Sequence, residues 1–145
     1  MTDSARLPER GANVGRMALG GTSSAALTDI VGVLVLPGRC WRCRRMTYPI
    51  VGILGPCHVF RPFSDVAEQL AATLTKEALR KLGTAAIRHR RSRVRPDGYL
   101  SNGCQHCDAI QGDFPLHEDL AAFRADGGAL SELVAGHVAL RSGPR

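Results

Sequence analysis

The sequence predicts an α+β fold in which β-hairpins are closed by a shared cluster of cysteines. Two Cys-x-x-Cys turns, at Cys40 and Cys43 and at Cys104 and Cys107, are each flanked by strand-like sequence, and an amphipathic segment over 65–82 lies between them. One such turn offers two thiolates to one side of a tetrahedral metal ion, and two turns complete the tetrahedron. We therefore predict zinc-ribbon-like β-hairpins closed by a four-cysteine site, with an inserted helix and C-terminal short helices.

Two strands are predicted around the first cysteine turn. Residues 30–36 form a short β-branched run that ends at Pro37, and residues 46–54 form a second apolar run that includes Tyr48. Runs of this composition, bounded by turn residues, are typical of strands. The first cysteine turn is therefore expected at the tip of a hairpin.

The clearest helix prediction covers residues 65–82. Gly83 suits the left-handed residue that ends many helices, and Ser64 is a candidate N-cap. Apolar residues recur at every fourth position, at Val66, Leu70, Leu74, Ala78 and Leu82. This spacing predicts one amphipathic helix inserted between the two cysteine turns.

The rest of the chain gives weaker patterns. Residues 84–95 predict a short strand, and Asn102-Gly103 predicts a turn before the second cysteine pair. Residues 109–114 are then expected to form the return strand. The segments 117–125 and 129–140 predict two short helices that a Gly-Gly pair separates.

Length and composition indicate one folded domain with short flanking segments. The chain has 145 residues, and one domain usually has roughly 100–200. We expect a disordered leader over 1–28, a single zinc-ribbon-like domain over 29–140 and a disordered tail over 141–145. No signal peptide and no run of the ~20 apolar residues that a membrane helix needs are present. A cytoplasmic protein that does not bind membranes is therefore predicted.

The cysteine pattern predicts metal binding rather than disulfides. Thiols stay reduced in the cytoplasm, where paired Cys-x-x-Cys turns more often hold zinc. Sixty residues, 44–103, separate the pairs, and a long insertion costs little because loop entropy grows only logarithmically. Cys57 and His58 are alternative ligands. The chain has seven aromatic residues, so we expect a thin core that a metal ion helps to hold.

Arginine dominates the positive charge of the chain, which has a net charge of +6 with 17 Arg and 2 Lys. A GC-rich genome, whose codons favour Arg, is the preferred explanation of this bias, and phosphate binding is the second. Arginines that flank the first cysteine turn can neutralise a tetrathiolate zinc site. The densest basic run is the candidate nucleic-acid contact, and Trp41 or Tyr99 could stack on a base. That run contains Arg88, Arg90, Arg91, Arg93 and Arg95. For Trp41, packing over the first cysteine turn is the preferred expectation.

Three stretches of the sequence match a known pattern. They are Cys-Trp-Arg-Cys from Cys40, Asn-Gly-Cys-Gln-His-Cys from Asn102, and Gln-Gly-Asp-Phe from Gln111. The chain resembles a group of small uncharacterised bacterial proteins with the pattern Cys-Trp-x-Cys, then Asn-x-Cys-Pro-x-Cys, then Gln-Gly-Asp-Phe. The resemblance covers residues 39–54 and 99–118 and implies a zinc-ribbon-like site on the same four cysteines. Gln105 replaces the proline of the pattern.

The sequence favours a non-enzymatic structural-zinc domain that binds nucleic acid or a protein partner. One alternative is a thiol-redox or metal-sensing protein that uses Cys-x-x-Cys. Another is a metal-assisted hydrolase or nuclease, whose candidate residues are Asp108, Asp113, His117, Glu118 and Asp119. No P-loop, dinucleotide-binding, serine-hydrolase or zinc-protease motif is present. No catalytic residue and no organic cofactor site is predicted.

Overall fold

A four-stranded sheet and two small sheets, with helices packed on the larger one, make up the α+β fold of the computed structural model. The structure describes residues 28–141, and Asp29–Leu140 form one compact unit. Apart from Thr28 and Arg141, the predicted leader and tail lie outside the described residues. The strands are β1 (Thr28–Val35), β2 (Gly38–Arg39), β3 (Met46–Thr47), β4 (Ile50–Leu54), β5 (Phe60–Pro62), β6 (Arg88–Arg90), β7 (Tyr99–Gly103), β8 (Ile110–Gln111) and β9 (Val134–Arg141).

The larger sheet has the strand order β5-β4-β1-β9, and apolar side chains pack on both of its faces. Successive side chains of a strand point to opposite faces. On β1, Val33 and Val35 pack against helix α1 (Phe63–Thr73), whereas Leu34 packs with Leu120 of helix α3 (Asp113–Ala125) on the other face. The β-branched run of β1 therefore serves two apolar clusters, one on each side of the sheet.

The predicted helix over 65–82 is two helices, α1 and α2 (Lys76–Leu82). Leu74 leaves the helical conformation, and Thr75 caps α2 by accepting a hydrogen bond of 3.0 Å from the Ala78 amide. A threonine that can cap a new helix competes with continuation of the old one. Gly83 has the predicted left-handed conformation, with φ of 79°. Ser64 is not a cap, because α1 begins at Phe63.

The C-terminal segment corrects one helix prediction. Residues 117–125 are helical, as predicted, within the longer α3, but 129–140 is not an α-helix. It forms a 3-10 turn at Leu130–Leu133 and then the strand β9. Side-chain burial along β9 alternates with period two, and pairing with β1 at the edge of the sheet outweighs the weak helical pattern.

The two small sheets carry the cysteine turns. Strands β2 and β3 form one hairpin, and β6-β7-β8 form a three-stranded sheet. The predicted strand over 46–54 is split into β3 and β4, and the predicted strand over 84–95 is reduced to β6. Asn102 and Gly103 do not form the predicted turn, because they lie in β7 opposite Gln111 and Ile110 of β8. The predicted fold class is confirmed.

Candidate metal centre

The first cysteine turn joins β2 to β3. The Cys40 amide donates to the Arg45 carbonyl at 2.9 Å, and the Arg44 amide donates to the Cys40 carbonyl at 3.0 Å. Arg44 has a φ of 70°, the left-handed conformation that lets the chain reverse directly after the second cysteine. The Arg42 amide points at the Cys40 sulfur, 3.3 Å away. This turn therefore directs backbone donors at a thiolate.

The second cysteine turn repeats this geometry between β7 and β8. The Cys104 amide donates to the Ala109 carbonyl at 2.9 Å, and the Asp108 amide donates to the Cys104 carbonyl at 2.8 Å. Asp108 has a φ of 64°. The His106 amide lies 3.3 Å from the Cys104 sulfur. Two segments far apart in the sequence thus have matching turns around their first cysteine.

The four predicted cysteines come together at one point. Their Sγ atoms all lie within 4.8 Å of one another. The Cys40 and Cys107 sulfurs are 3.6 Å apart, and the Cys43 and Cys104 sulfurs are 3.7 Å apart. Metal–sulfur bonds of ~2.3 Å at tetrahedral angles place sulfurs ~3.8 Å from each other. The arrangement therefore fits a single tetrahedral metal ion.

The alternative ligands lie elsewhere. Cys57 and His58 are exposed, and neither belongs to the cysteine cluster. Both have positive φ angles, of 61° and 60°, in the short 3-10 segment between β4 and β5. Among residues 28–141, the four cysteines form the one group of three or more Cys, His, Asp or Glu side chains that could hold a metal ion.

Thiol ionisation is uneven across the cluster. Burial acts to raise the pKa of Cys40, but the amides of Cys43 and Arg42 and the neighbouring thiols outweigh it and lower the pKa to about 6. The Arg45 amide acts to lower the pKa of Cys43, but burial and the other three thiols raise it to about 11. Four adjacent sulfurs cannot all become thiolates without a compensating positive charge. A divalent cation would supply that charge.

A second layer of contacts orients the cysteine turns. The Gln111 side-chain amide donates to the Cys40 sulfur at 3.5 Å and to the Ala109 carbonyl at 3.1 Å. The Trp41 indole donates to the Ile110 carbonyl at 2.6 Å, which ties the first turn to β8. Such outer contacts fix ligand orientation in metal sites. No sequence signal pointed to this role of Gln111, because its position beside Cys40 arises only from folding.

Two arginines of the predicted basic run form ion pairs within the fold. The buried Arg90 donates to Asp108 at 2.7 Å, to the Ser101 carbonyl at 2.7 Å and to the Ala86 carbonyl at 2.8 Å. Arg88 also pairs with Asp108. The Arg90 guanidinium is the first cause of the lowered pKa of Asp108. This ion-pair cluster braces the second cysteine turn from the side of β6.

The other members of the run, Arg91, Arg93 and Arg95, are exposed. The Arg95 guanidinium lies 4.2 Å from the centre of the Tyr99 ring. One face of the predicted stacking residue Tyr99 is therefore occupied by an arginine of the same chain.

The acidic segment after the second cysteine turn does not converge on a metal site within residues 28–141. Asp113 and His117 line an apolar cavity of about 330 Å³ between α3 and the start of α1, beside the exposed Phe114. Burial raises the pKa of Asp113, partly opposed by Arg95. Glu118 and Asp119 are exposed on α3.

Comparison with family models, curated proteins and solved structures found no match. In the described part of the chain, no helix combines the length and apolar character needed to cross a membrane. The cysteine cluster itself is therefore the observation from which function can be argued.

Proposed function

We propose that this protein is a non-enzymatic binding module built on a structural Zn²⁺ ion. The ligands are Cys40, Cys43, Cys104 and Cys107. The observation that carries the proposal is the convergence of four sulfurs within 4.8 Å, with contacts of 3.6 and 3.7 Å that each join one turn to the other. Residues 29–140 form the single zinc-ribbon-like domain in this proposal.

The donor set fits zinc, the metal of this proposal. Four thiolates are soft ligands, and tetrahedral sites made of four sulfurs hold zinc or iron. Four cysteine ligands fill every position of a tetrahedral zinc ion, so no position is left for a water or a substrate. The ion would therefore hold the β2–β3 hairpin against the β7–β8 hairpin rather than take part in a reaction.

The proposed partner is nucleic acid or another protein, and the proposed location is the cytoplasm. The basic run of Arg88, Arg90, Arg91, Arg93 and Arg95 stays a prediction as a nucleic-acid contact. Since Arg88 and Arg90 are engaged by Asp108, its available charge comes from the other three arginines.

Elemental analysis and native mass spectrometry of the purified chain test the metal proposal. We expect about one zinc per wild-type chain, because four thiolates satisfy one tetrahedral ion. Cys104→Ser should lose most of this zinc, since it removes a buried ligand. The matched control is Cys57→Ser, which changes an exposed cysteine outside the cluster and should keep full occupancy.

The same spectra separate the thiol-redox alternative. A zinc-free wild-type chain with a Cys40–Cys43 disulfide would contradict the metal proposal and support a redox protein. Equal zinc content in Cys104→Ser and Cys57→Ser would show that the cluster is not the binding site.

A further inference from the structure

The first cysteine turn carries an exposed basic surface around the single tryptophan of the chain. We call this surface the Trp41 patch. All of its side chains are exposed; Arg39 is the last residue of β2, and the others lie in the short turn before β3. The patch consists of Arg39, Trp41, Arg42, Arg44 and Arg45.

The positive charge of the patch is not neutralised by neighbouring carboxylates. Within residues 28–141, its four arginines form no ion pair with Asp or Glu, whereas the nearby Asp108 is taken by Arg88 and Arg90. A tetrathiolate zinc site carries two negative charges, fewer than the four guanidinium groups. The patch therefore keeps a positive excess after the site is loaded.

Trp41 is both exposed and held in place. Its side chain is 63% exposed, and its indole N–H donates to the Ile110 carbonyl at 2.6 Å. An aromatic ring that stays exposed to water does not contribute the favourable free energy that its burial would give. A fixed and exposed ring of this kind is suited to stacking on a planar group of a partner.

The two candidate stacking residues differ in accessibility. Arg95 lies over the Tyr99 ring, whereas no arginine or lysine among the described residues lies over Trp41 in this way. The basic run near Tyr99 also has Arg88 and Arg90 engaged by Asp108. The Trp41 patch thus combines guanidinium groups that have no carboxylate partner with an accessible aromatic ring. The predicted basic run does not offer this combination.

We propose that the Trp41 patch binds single-stranded nucleic acid. An unpaired base stacks on Trp41, and the surrounding arginines, Arg42 and Arg45 among them, contact the phosphates. Stacking requires an unpaired base, and aromatic rings next to positive charge are the usual means of binding single strands without sequence preference. The inference rests on the proposed function, because the zinc site is what fixes the turn that displays the patch.

The experiment uses the zinc-loaded full chain and a fluorescein-labelled oligothymidylate of about 12 nucleotides, a length that covers a typical single-strand site. Anisotropy measures affinity, and quenching of Trp41 fluorescence reports stacking directly, because the chain has one tryptophan. We expect quenching on binding and an affinity that falls steeply with added salt.

Three variants locate the binding surface. Trp41→Ala should bind about 5- to 150-fold more weakly, the range for loss of one stacked base, and Trp41→Phe should recover most of the affinity. Arg42→Gln with Arg45→Gln should lower the slope of log affinity against log salt by about 1.4, since each phosphate contact on a single strand contributes ~0.7.

Arg91→Gln with Arg93→Gln tests the predicted basic run as the competing surface. Lys76→Gln with Lys81→Gln removes two exposed positive charges of α2 outside both basic surfaces; it is the matched control and should bind like the wild type.

Several results would overturn the inference. They are equal affinity for duplex and single strand, loss of affinity only in the Arg91→Gln with Arg93→Gln variant, and binding of an acidic peptide with no binding of the oligonucleotide. Zinc content is measured on every sample. A zinc-loaded chain that does not bind the oligonucleotide contradicts this inference alone, whereas a chain without zinc contradicts the proposed function.

Discussion

Asn102 is the side chain that joins the cysteine-bearing sheet to the central sheet. It is fully buried. Its side-chain oxygen accepts from the Ile50 amide, and its side-chain nitrogen donates to the Ile50 carbonyl, both at 2.8 Å. Because β4 begins at Ile50 and β7 contains Asn102, this pair of bonds sets the position of the second cysteine turn relative to the core.

Asn102→Ala should destabilise the protein by about 2–4 kcal/mol, because it leaves a buried amide and a buried carbonyl of Ile50 without partners. Asn102→Asp keeps the volume and the acceptor but sets a carboxylate oxygen against the Ile50 carbonyl. It should therefore be at least as destabilising at neutral pH. Denaturant unfolding with zinc present measures both changes. An Asp variant as stable as the wild type would contradict this role for Asn102.

At the scale of single residues, the four clustered cysteines could be predicted from the sequence, but the residues around them could not. The cysteine spacing is local and matches the chemistry of a tetrahedral ion, so the four cysteines that cluster could be named from the sequence. Asn102 and Gly103 looked like a turn because the dipeptide favours one. In the fold, Gly103 instead lets the Arg90 guanidinium pass close to β7, where a Cβ would collide with it. The need for glycine at position 103 therefore comes from contact with Arg90, which the sequence around Gly103 does not reveal.

At the scale of elements, the sequence-based prediction missed a helix break and a strand that forms by pairing with a distant part of the chain. The amphipathic spacing continues across Leu74 and Thr75, so the positions of the apolar residues do not reveal the break between α1 and α2. The segment over 134–141 has a pattern compatible with either helix or strand, and its pairing with β1, about a hundred residues earlier, decides the outcome. By contrast, α1 and β1 have strong patterns and lie close to their predicted positions.

The first turn of α3 predicts a pH effect. Asp113 is the first residue of this helix, and burial raises its pKa. Between the ordinary pKa and the raised one, the folded state binds more protons than the unfolded state, so stability falls as pH rises through this interval. Above the raised pKa the penalty is complete. Asp113→Asn should therefore be more stable than the wild type at neutral pH, and this advantage should shrink on acidification.

Unfolding by denaturant at neutral and mildly acidic pH measures this difference. Because wild type and variant share the same four cysteines, the effect of acid on these sulfurs cancels in the comparison. Asp119→Asn, at an exposed position of the same helix, is the control and should show no such pH-dependent gain. A constant gain for Asp113→Asn at both pH values would contradict the assignment to ionisation.

At the scale of the whole molecule, the cysteine cluster and the apolar core are separate. The two main apolar clusters lie on the two faces of the large sheet, and neither contains a cysteine. Cys40, Cys104 and Ala109 form a third, small cluster of their own. Instead of the expected thin core held by metal, the protein has a core with its own apolar packing and the cysteine cluster beside it.

This separation predicts partial rather than complete unfolding when the metal is removed. With a chelator, the amide protons of Cys40 and Cys104, whose hydrogen bonds close the cysteine turns, should exchange with solvent far faster, because no ion then draws the four sulfurs together. The amides of the paired residues Val33 and Ile53 in β1 and β4 should stay protected, since the buried apolar area around them is unchanged. Hydrogen exchange followed by mass spectrometry distinguishes the two regions, and added zinc should restore the slow exchange of the turns. Loss of protection throughout would mean that the metal supports the entire fold, and unchanged exchange in the turns would mean that no metal holds them.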